Sequence, residues 1–302
     1  MELWIPITIA AAFAQNLRFM LQKQLKSARF TSAGATFARF VFSAPLAVLL
    51  AWGYGGLVGG GVPAMPAGFW AYAIAGGLSQ IAATLCVVTL LSMRNFTVGI
   101  TLKKTEVILT ALLGLILLGE GLPAAGLLAI LAGFTGVVLL SDPPATAGRR
   151  GWRARVFNRA AAYGVGAGAL FGVSAVGYRG ATLALGHGDF FLRAVVTLAV
   201  VTTLQTVVMA LWMGIATPQE LRRVIREWRV AGLVGLTSMA GSLGWFSAFA
   251  LQNAAYVKAL GQIELIFTFF ASHYVFREVH SRREIAGIAL VVASILILVL
   301  LG

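Results

Sequence analysis

Residues 96–114 read FTVGITLKKTEVILTALLG, and residues 254–270 read AAYVKALGQIELIFTFF. Each run is apolar and long enough to belong in hydrocarbon, yet each carries ionisable groups inside it. Lys103, Lys104 and Glu106 lie in the first, Lys258 and Glu264 in the second. A charge held against lipid costs about 3 kcal/mol even on the lenient insertion scales, so these groups should face one another or a water-accessible cavity. The whole chain points to the same solvent. Of 302 residues 59% are apolar, a further 35 are Gly and only 11% are charged; mean hydropathy is +0.90. A soluble domain has about a quarter of its residues charged, so a soluble enzyme of this size is excluded.

The formal charge of +13 would suggest nucleic acid if the positives formed a stripe on a folded surface. They cluster instead in short gaps between apolar segments, so no nucleic-acid partner is expected. The single cysteine, Cys86, sits inside an apolar segment and supports neither a disulfide framework nor a thiolate metal site. His187, His273 and His280 have no metal-ligand spacing, and no phosphate-binding, dinucleotide-binding or zinc-hydrolase motif is present. No cofactor, metal or catalytic residue is expected. The start of the chain, MELWIPITIAAAFAQNLRF, lacks a basic leader region and reads as a first spanning helix more readily than as a signal peptide.

At about 20 residues per crossing, the sequence predicts an all-α membrane protein of ten transmembrane helices, at about 3–21, 32–52, 67–91, 98–118, 122–140, 157–178, 190–213, 231–251, 255–276 and 284–301. A displacement of 158 residues carries Asn95, Glu106 and Glu120 onto Asn253, Glu264 and Glu278. The chain is therefore read as two five-helix repeats, residues 1–145 and 156–302, joined by a basic linker at 146–155. An odd number of crossings per repeat makes the pair inverted. Fifteen Lys and Arg fall in the odd-numbered gaps against two near the even ones, which places the odd gaps in the cytoplasm and both termini outside. Anionic headgroups suffice to explain most of those loop cations.

Glu106 and Glu264 occupy equivalent positions and are expected to approach each other, where mutual repulsion would suit them to proton binding and release. Simple neutralisation by neighbouring Lys explains them equally well. Lys103 stands three residues before Glu106 and can share its helix face, whereas Lys258 is six before Glu264 and cannot. Lys104 and Lys258 are thus left as candidates to meet an anionic substrate group, with snorkelling to the interface as the competing use. Trp245, flanked by Gly241, Ser242 and Gly244, suits helix packing or a pocket wall, and Gln15, Tyr178, Asn16, Arg18, Gln80 and Arg179 are further, individually weak candidates to line a cavity. Glu120, Glu278, Asn95 and Asn253 sit at helix starts and are assigned to structure.

Residues 106–120 (EVILTALLGLILLGE) and 264–278 (ELIFTFFASHYVFRE) resemble the helix hairpin of the EamA domain of the drug/metabolite transporter superfamily, which commonly reads Glu-Pro, an apolar run, then Gly-Glu. The first copy fits more closely. Residues 36–50 (TFARFVFSAPLAVLL) resemble that family's second helix. Val107 and Leu265 stand where proline is common, and Arg277 replaces the Gly before the last Glu. The resemblance implies a multi-pass carrier of the bacterial inner membrane, with a central cavity lined by helices one, three, four, six, eight and nine. The expected function is secondary transport, often outward, by alternating access. The substrate is expected to be a small zwitterion or organic anion such as an amino acid, with proton coupling through Glu106 and Glu264. An exporter of drugs or organic cations is the nearest alternative, and a channel or lipid scramblase the rival from another class. Membrane lipids are the expected surroundings, and a monomer or homodimer fits equally.

Overall fold

The computed structural model describes residues 2–28, 30–58, 61–91, 93, 103–140, 159–275, 277 and 282–301, and every regular element among them is helical. In chain order these are α1 Trp4–Ala28, α2 Ser32–Val41, α3 Ala44–Leu57 and α4 Ala67–Leu91. A 3-10 turn, Lys103–Thr105, then leads into α5 Glu106–Leu118, followed by α6 Ala124–Leu140, α7 Arg159–Ala184, α8 Phe190–Ala216, α9 Pro218–Arg226 and α10 Trp228–Leu251. The last elements are α11 Ala254–Leu260, a second 3-10 turn Gly261–Ile263, α12 Glu264–Tyr274 and α13 Arg282–Leu301. Asn95, Glu278, His280 and the 146–155 linker lie outside the described residues, as does the boundary between the two expected halves.

The ten-span, two-repeat expectation is corrected by the lengths and make-up of these helices. Among the described residues five stretches are long and apolar enough to cross a membrane: Ser32–Leu57, Ala67–Leu91, Phe190–Ala216, Trp228–Leu251 and Ala254–Ala271. The other segments fall short for physical reasons. α5 has 13 residues, under the roughly 20 that a crossing needs. α1 has 25 residues but carries Gln15, Asn16, Arg18, Gln22 and Lys23, and α7 is diluted by glycine and by Tyr178 and Arg179. Length therefore excludes α5, and polar or glycine content excludes α1 and α7. Five such stretches still make this a multi-pass membrane protein. Its outer face is apolar, with Trp52, Ile116 and Ile215 largely exposed, as lipid contact requires.

The most extensive packings join an early helix to a late one: α4 on α7, α6 on α13, α1 on α10, α5 on α7 and α3 on α8. Association in lipid gains nothing from hiding apolar surface, so it relies on close backbone approach between small residues. Where α7 crosses α4, a Cβ on Gly177 would stand 2.9 Å from the Tyr72 carbonyl oxygen and 3.0 Å from the Gly76 Cα. Where α10 crosses α1, a Cβ on Gly244 would stand 2.7 Å from that of Ala11. Helix ends follow ordinary capping chemistry. Asp189 accepts from the amides of Phe191 at 2.8 Å and Leu192 at 2.9 Å to start α8, and from the Tyr54 hydroxyl at 3.1 Å. The Leu192 amide above all holds this carboxyl below its usual range. Asn253 caps α11 by accepting from Ala255 at 2.8 Å. Gly119 ends α5 at φ 67°, a left-handed conformation open to glycine, whereas Arg277, past the end of α12, adopts φ 53° with a side chain.

Three outcomes follow for thermal melts of the detergent-solubilised protein. Gly177→Ala forces α4 and α7 apart and should cost about 1–3 kcal/mol, the range for overpacking. Arg277→Gly relieves the left-handed strain and should stabilise by about 1 kcal/mol. Asp189→Ala removes a cap worth about 1 kcal/mol. Because the folded carboxyl is depressed, that contribution is complete above the ordinary carboxylate range and is lost as pH falls through the folded value, so wild type and variant should converge in acid.

Candidate functional site: a buried charge cluster

Both 3-10 turns end on a glutamate that opens the next α-helix. Glu106 begins α5 and Glu264 begins α12, where the helix dipole favours a carboxylate. Each helix start is tied down by a threonine one turn later: Thr110 and Thr268 donate to the carbonyls of Glu106 and Glu264, both at 2.7 Å. Asn16 of α1 donates to the Thr268 hydroxyl at 2.6 Å.

The ion pairs run between the two turns rather than along the helices. Glu264 Oε2 accepts from Lys104 at 2.6 Å and from Lys103 at 3.1 Å, and Lys104 also reaches the Gly261 carbonyl at 3.4 Å. Lys258 faces Glu106 at 3.9 Å, a looser contact. The expected Lys103–Glu106 pairing on one helix face is therefore replaced. A 3-10 turn separates the two residues, and Lys103 reaches Glu264 instead. Lys104 and Lys258, expected to lack a carboxylate partner, each have one. Among the described residues Glu106 Oε2 and Glu264 Oε1 are buried without a hydrogen-bond partner.

Aromatic rings wall the cluster. Lys258 Nζ lies 4.5 Å from the centre of the Trp245 ring, and Lys103 Nζ lies 4.7 Å from that of Phe19, favourable positions for a cation over a π face. Gly261 is required beside Trp245, because any Cβ there would collide with the indole. The Trp245 ring nitrogen is buried without an acceptor.

From α1 the cluster continues through two arginines. Arg18 is 2% exposed and donates to Gln15 Oε1 at 3.4 Å, and its charge is felt by Arg39, Glu264 and Glu106. Arg39, 3% exposed, donates to Ser238 at 3.1 Å and Thr84 at 2.9 Å. Next to Arg39 is an uncharged group. The Tyr178 hydroxyl donates to Gln80 Oε1 at 2.7 Å, and Gln205 donates to Gln80 at 2.9 Å and to the Tyr178 oxygen at 3.1 Å. Tyr178 stacks on Phe246 at 4.4 Å. The candidates Glu106, Glu264, Lys103, Lys104, Lys258 and Trp245 thus meet in one cluster, Gln15 joins it through Arg18, and Tyr178 stands at its far end.

Arg39 and Gln205 escaped the sequence reading. Arg39 stands inside the apolar stretch TFARFVFSAPL, a position that signals a costly burial. Gln205, in VVTTLQTVVMAL, is the single amide of its run. Glu120, by contrast, does structural work, pairing with Arg179 at 2.5 Å beside the Phe249 carbonyl. Among the described residues no group of His, Cys, Asp and Glu could hold a metal ion. A groove of about 590 Å³ lined by Trp52, Met65, Trp70 and Val200 is apolar and offers no comparable chemistry.

Residues 159–300 match the model of the EamA-like transporter family. The family signal is thus carried by the second half, although the 106–120 stretch had looked the closer copy. A protein of known crystal structure superposes with a TM-score of 0.71 at 16% sequence identity, over 99% of this chain and 97% of that one, a likeness of fold. No curated protein matches by sequence. Residues 159–300 are thus similar to the EamA-like transporter family, and the chain is a multi-pass membrane protein.

Proposed function

We propose that the protein is a secondary carrier for a small organic anion or zwitterion, exposing the buried charge cluster to one side of the membrane at a time. One observation carries this reading. Among the described residues the buried charges are Arg18, Arg39, Lys103, Lys104, Lys258, Glu106 and Glu264, five cations against two carboxylates. Excess positive charge in a site closed from water is costly, and a substrate bringing negative charge offsets that cost. The cation-exporter alternative needed Lys104 and Lys258 to point into lipid or the interface, and both are buried against carboxylates.

The ion pairs suggest how movement and binding are coupled. Lys103 and Lys104 belong to residues 1–145 and Glu264 to 156–302, while the Lys258–Glu106 contact crosses in the other direction. Relative motion of the two 3-10 turns would break both contacts. Glu264 is held by two ammonium groups, Glu106 loosely by one. Glu106 is therefore the carboxylate we assign to coupling, with Lys258 as its partner. We place the protein in a bacterial inner membrane, transporting outward, with the Arg222, Arg223, Arg226 and Arg229 face cytoplasmic.

A thermal-shift screen of purified protein tests the substrate class, since a ligand bound only to the folded state raises its melting temperature. Compounds bearing carboxylate or phosphate should stabilise, and quaternary ammonium compounds should not; the reverse pattern contradicts the reading. In proteoliposomes given the most stabilising compound, Glu106→Gln should abolish substrate-driven lumenal pH change while keeping exchange, and Glu264→Gln should lose both. An undiminished pH change in Glu106→Gln would sink the coupling role. A channel would show neither saturation nor stimulation from the opposite side.

A further inference from the structure

Arg18 and Arg39 differ from the other buried cations. The three lysines have carboxylates within 4 Å; among the described residues neither arginine has one. Arg18 has a neutral amide oxygen at 3.4 Å, and its Nε is buried with no acceptor at all. Arg39 is held by two hydroxyls, Ser238 from α10 and Thr84 from α4. Phe19 and Phe40 lie under the two guanidinium groups at 4.4 and 5.0 Å, an arrangement that orients a planar cation without neutralising it. A guanidinium remains charged at any physiological pH, so these positions cannot relieve their cost by losing a proton, as a lysine can. These are two charges on separate helices, within electrostatic reach of one another and partnered by neutral groups, so two units of positive charge there have no carboxylate against them among the described residues.

We infer that Arg18 and Arg39 form an oxyanion subsite that takes the doubly charged head of the substrate, a phosphomonoester or a compact dicarboxylate. The inference rests on the anion-carrier reading and sharpens it, assigning the fork-shaped guanidinium groups rather than the lysines to the head group. The flat, two-pronged donor geometry of arginine matches carboxylate and phosphate oxygens in a way an ammonium does not. The Ser238, Thr84 and Gln15 groups hold the arginines in position and cost little to rearrange when the anion arrives. Lys103, Lys104 and Lys258 remain committed to Glu264 and Glu106 and serve the coupling step.

The test uses the full-length protein in detergent, with inorganic phosphate and malonate as probes and chloride at matched ionic strength as the control. Saturable stabilisation by phosphate or by malonate is expected, and which of the two acts identifies the head group. Arg18→Lys and Arg39→Lys keep the charge and lose the fork, so each should weaken apparent affinity at least tenfold, whereas Lys258→Met should change it less than threefold. Arg18→Gln and Arg39→Gln, which keep an amide donor, replace any lysine variant that does not fold and should behave in the same way. Anion binding that survives substitution of both arginines but is lost in Lys258→Met overturns the subsite while leaving the anion-carrier reading intact. A wild-type protein stabilised by neither probe overturns the subsite, and stabilisation by organic cations instead overturns the reading beneath it as well.

Discussion

Two ammonium groups and one carboxylate, Lys103, Lys104 and Glu264, meet where almost no water reaches. Removing such ions from water costs several kcal/mol each, and the penalty is recovered only while the partners stay in contact. The surrounding architecture serves that condition. The 3-10 turns at Lys103–Thr105 and Gly261–Ile263 bring the two chain segments face to face. Thr110, Thr268 and Asn16 fix the helix starts, and Gly261 leaves space for the indole that covers Lys258. An ion cluster of this kind is poor as a source of stability and well suited to a switch, because breaking one contact leaves an uncompensated charge that demands a new partner.

The asymmetry between the carboxylates gives the cluster a direction of use. Glu264 is doubly bridged, and Glu106 meets Lys258 at 3.9 Å with its second oxygen unpartnered. The excess of positive charge lies on the arginine side, toward α2 and α4, and leads to the neutral group of Tyr178, Gln80 and Gln205. A substrate with an anionic head and a polar remainder would find complementary groups along that line.

The helical, membrane-embedded character was legible in composition, and the cost of burying Lys103, Lys104, Glu106, Lys258 and Glu264 pointed directly to the cluster that contains them. The pairing was not legible. Reading Lys103 and Glu106 as neighbours assumes α-helical spacing, and the 3-10 turn between them changes which way Lys103 reaches. The count of crossings overshot because apolar density does not reveal where a helix begins: α5 starts only at Glu106, after a 3-10 turn and well inside the 98–118 run. Arg39 carries the same cost signal within TFARFVFSAPL, but its partners lie far along the chain. Only the approach of α10 and α4 shows it enclosed by Ser238 and Thr84.

The central claim is that the buried cluster binds and carries a small anion. Uptake of labelled phosphate or malonate into proteoliposomes, with and without the same unlabelled anion inside, tests it most directly. The account predicts saturable uptake that is accelerated severalfold by the internal anion. Uptake that rises linearly with concentration and ignores the internal anion, or stimulation by organic cations alone, would contradict it.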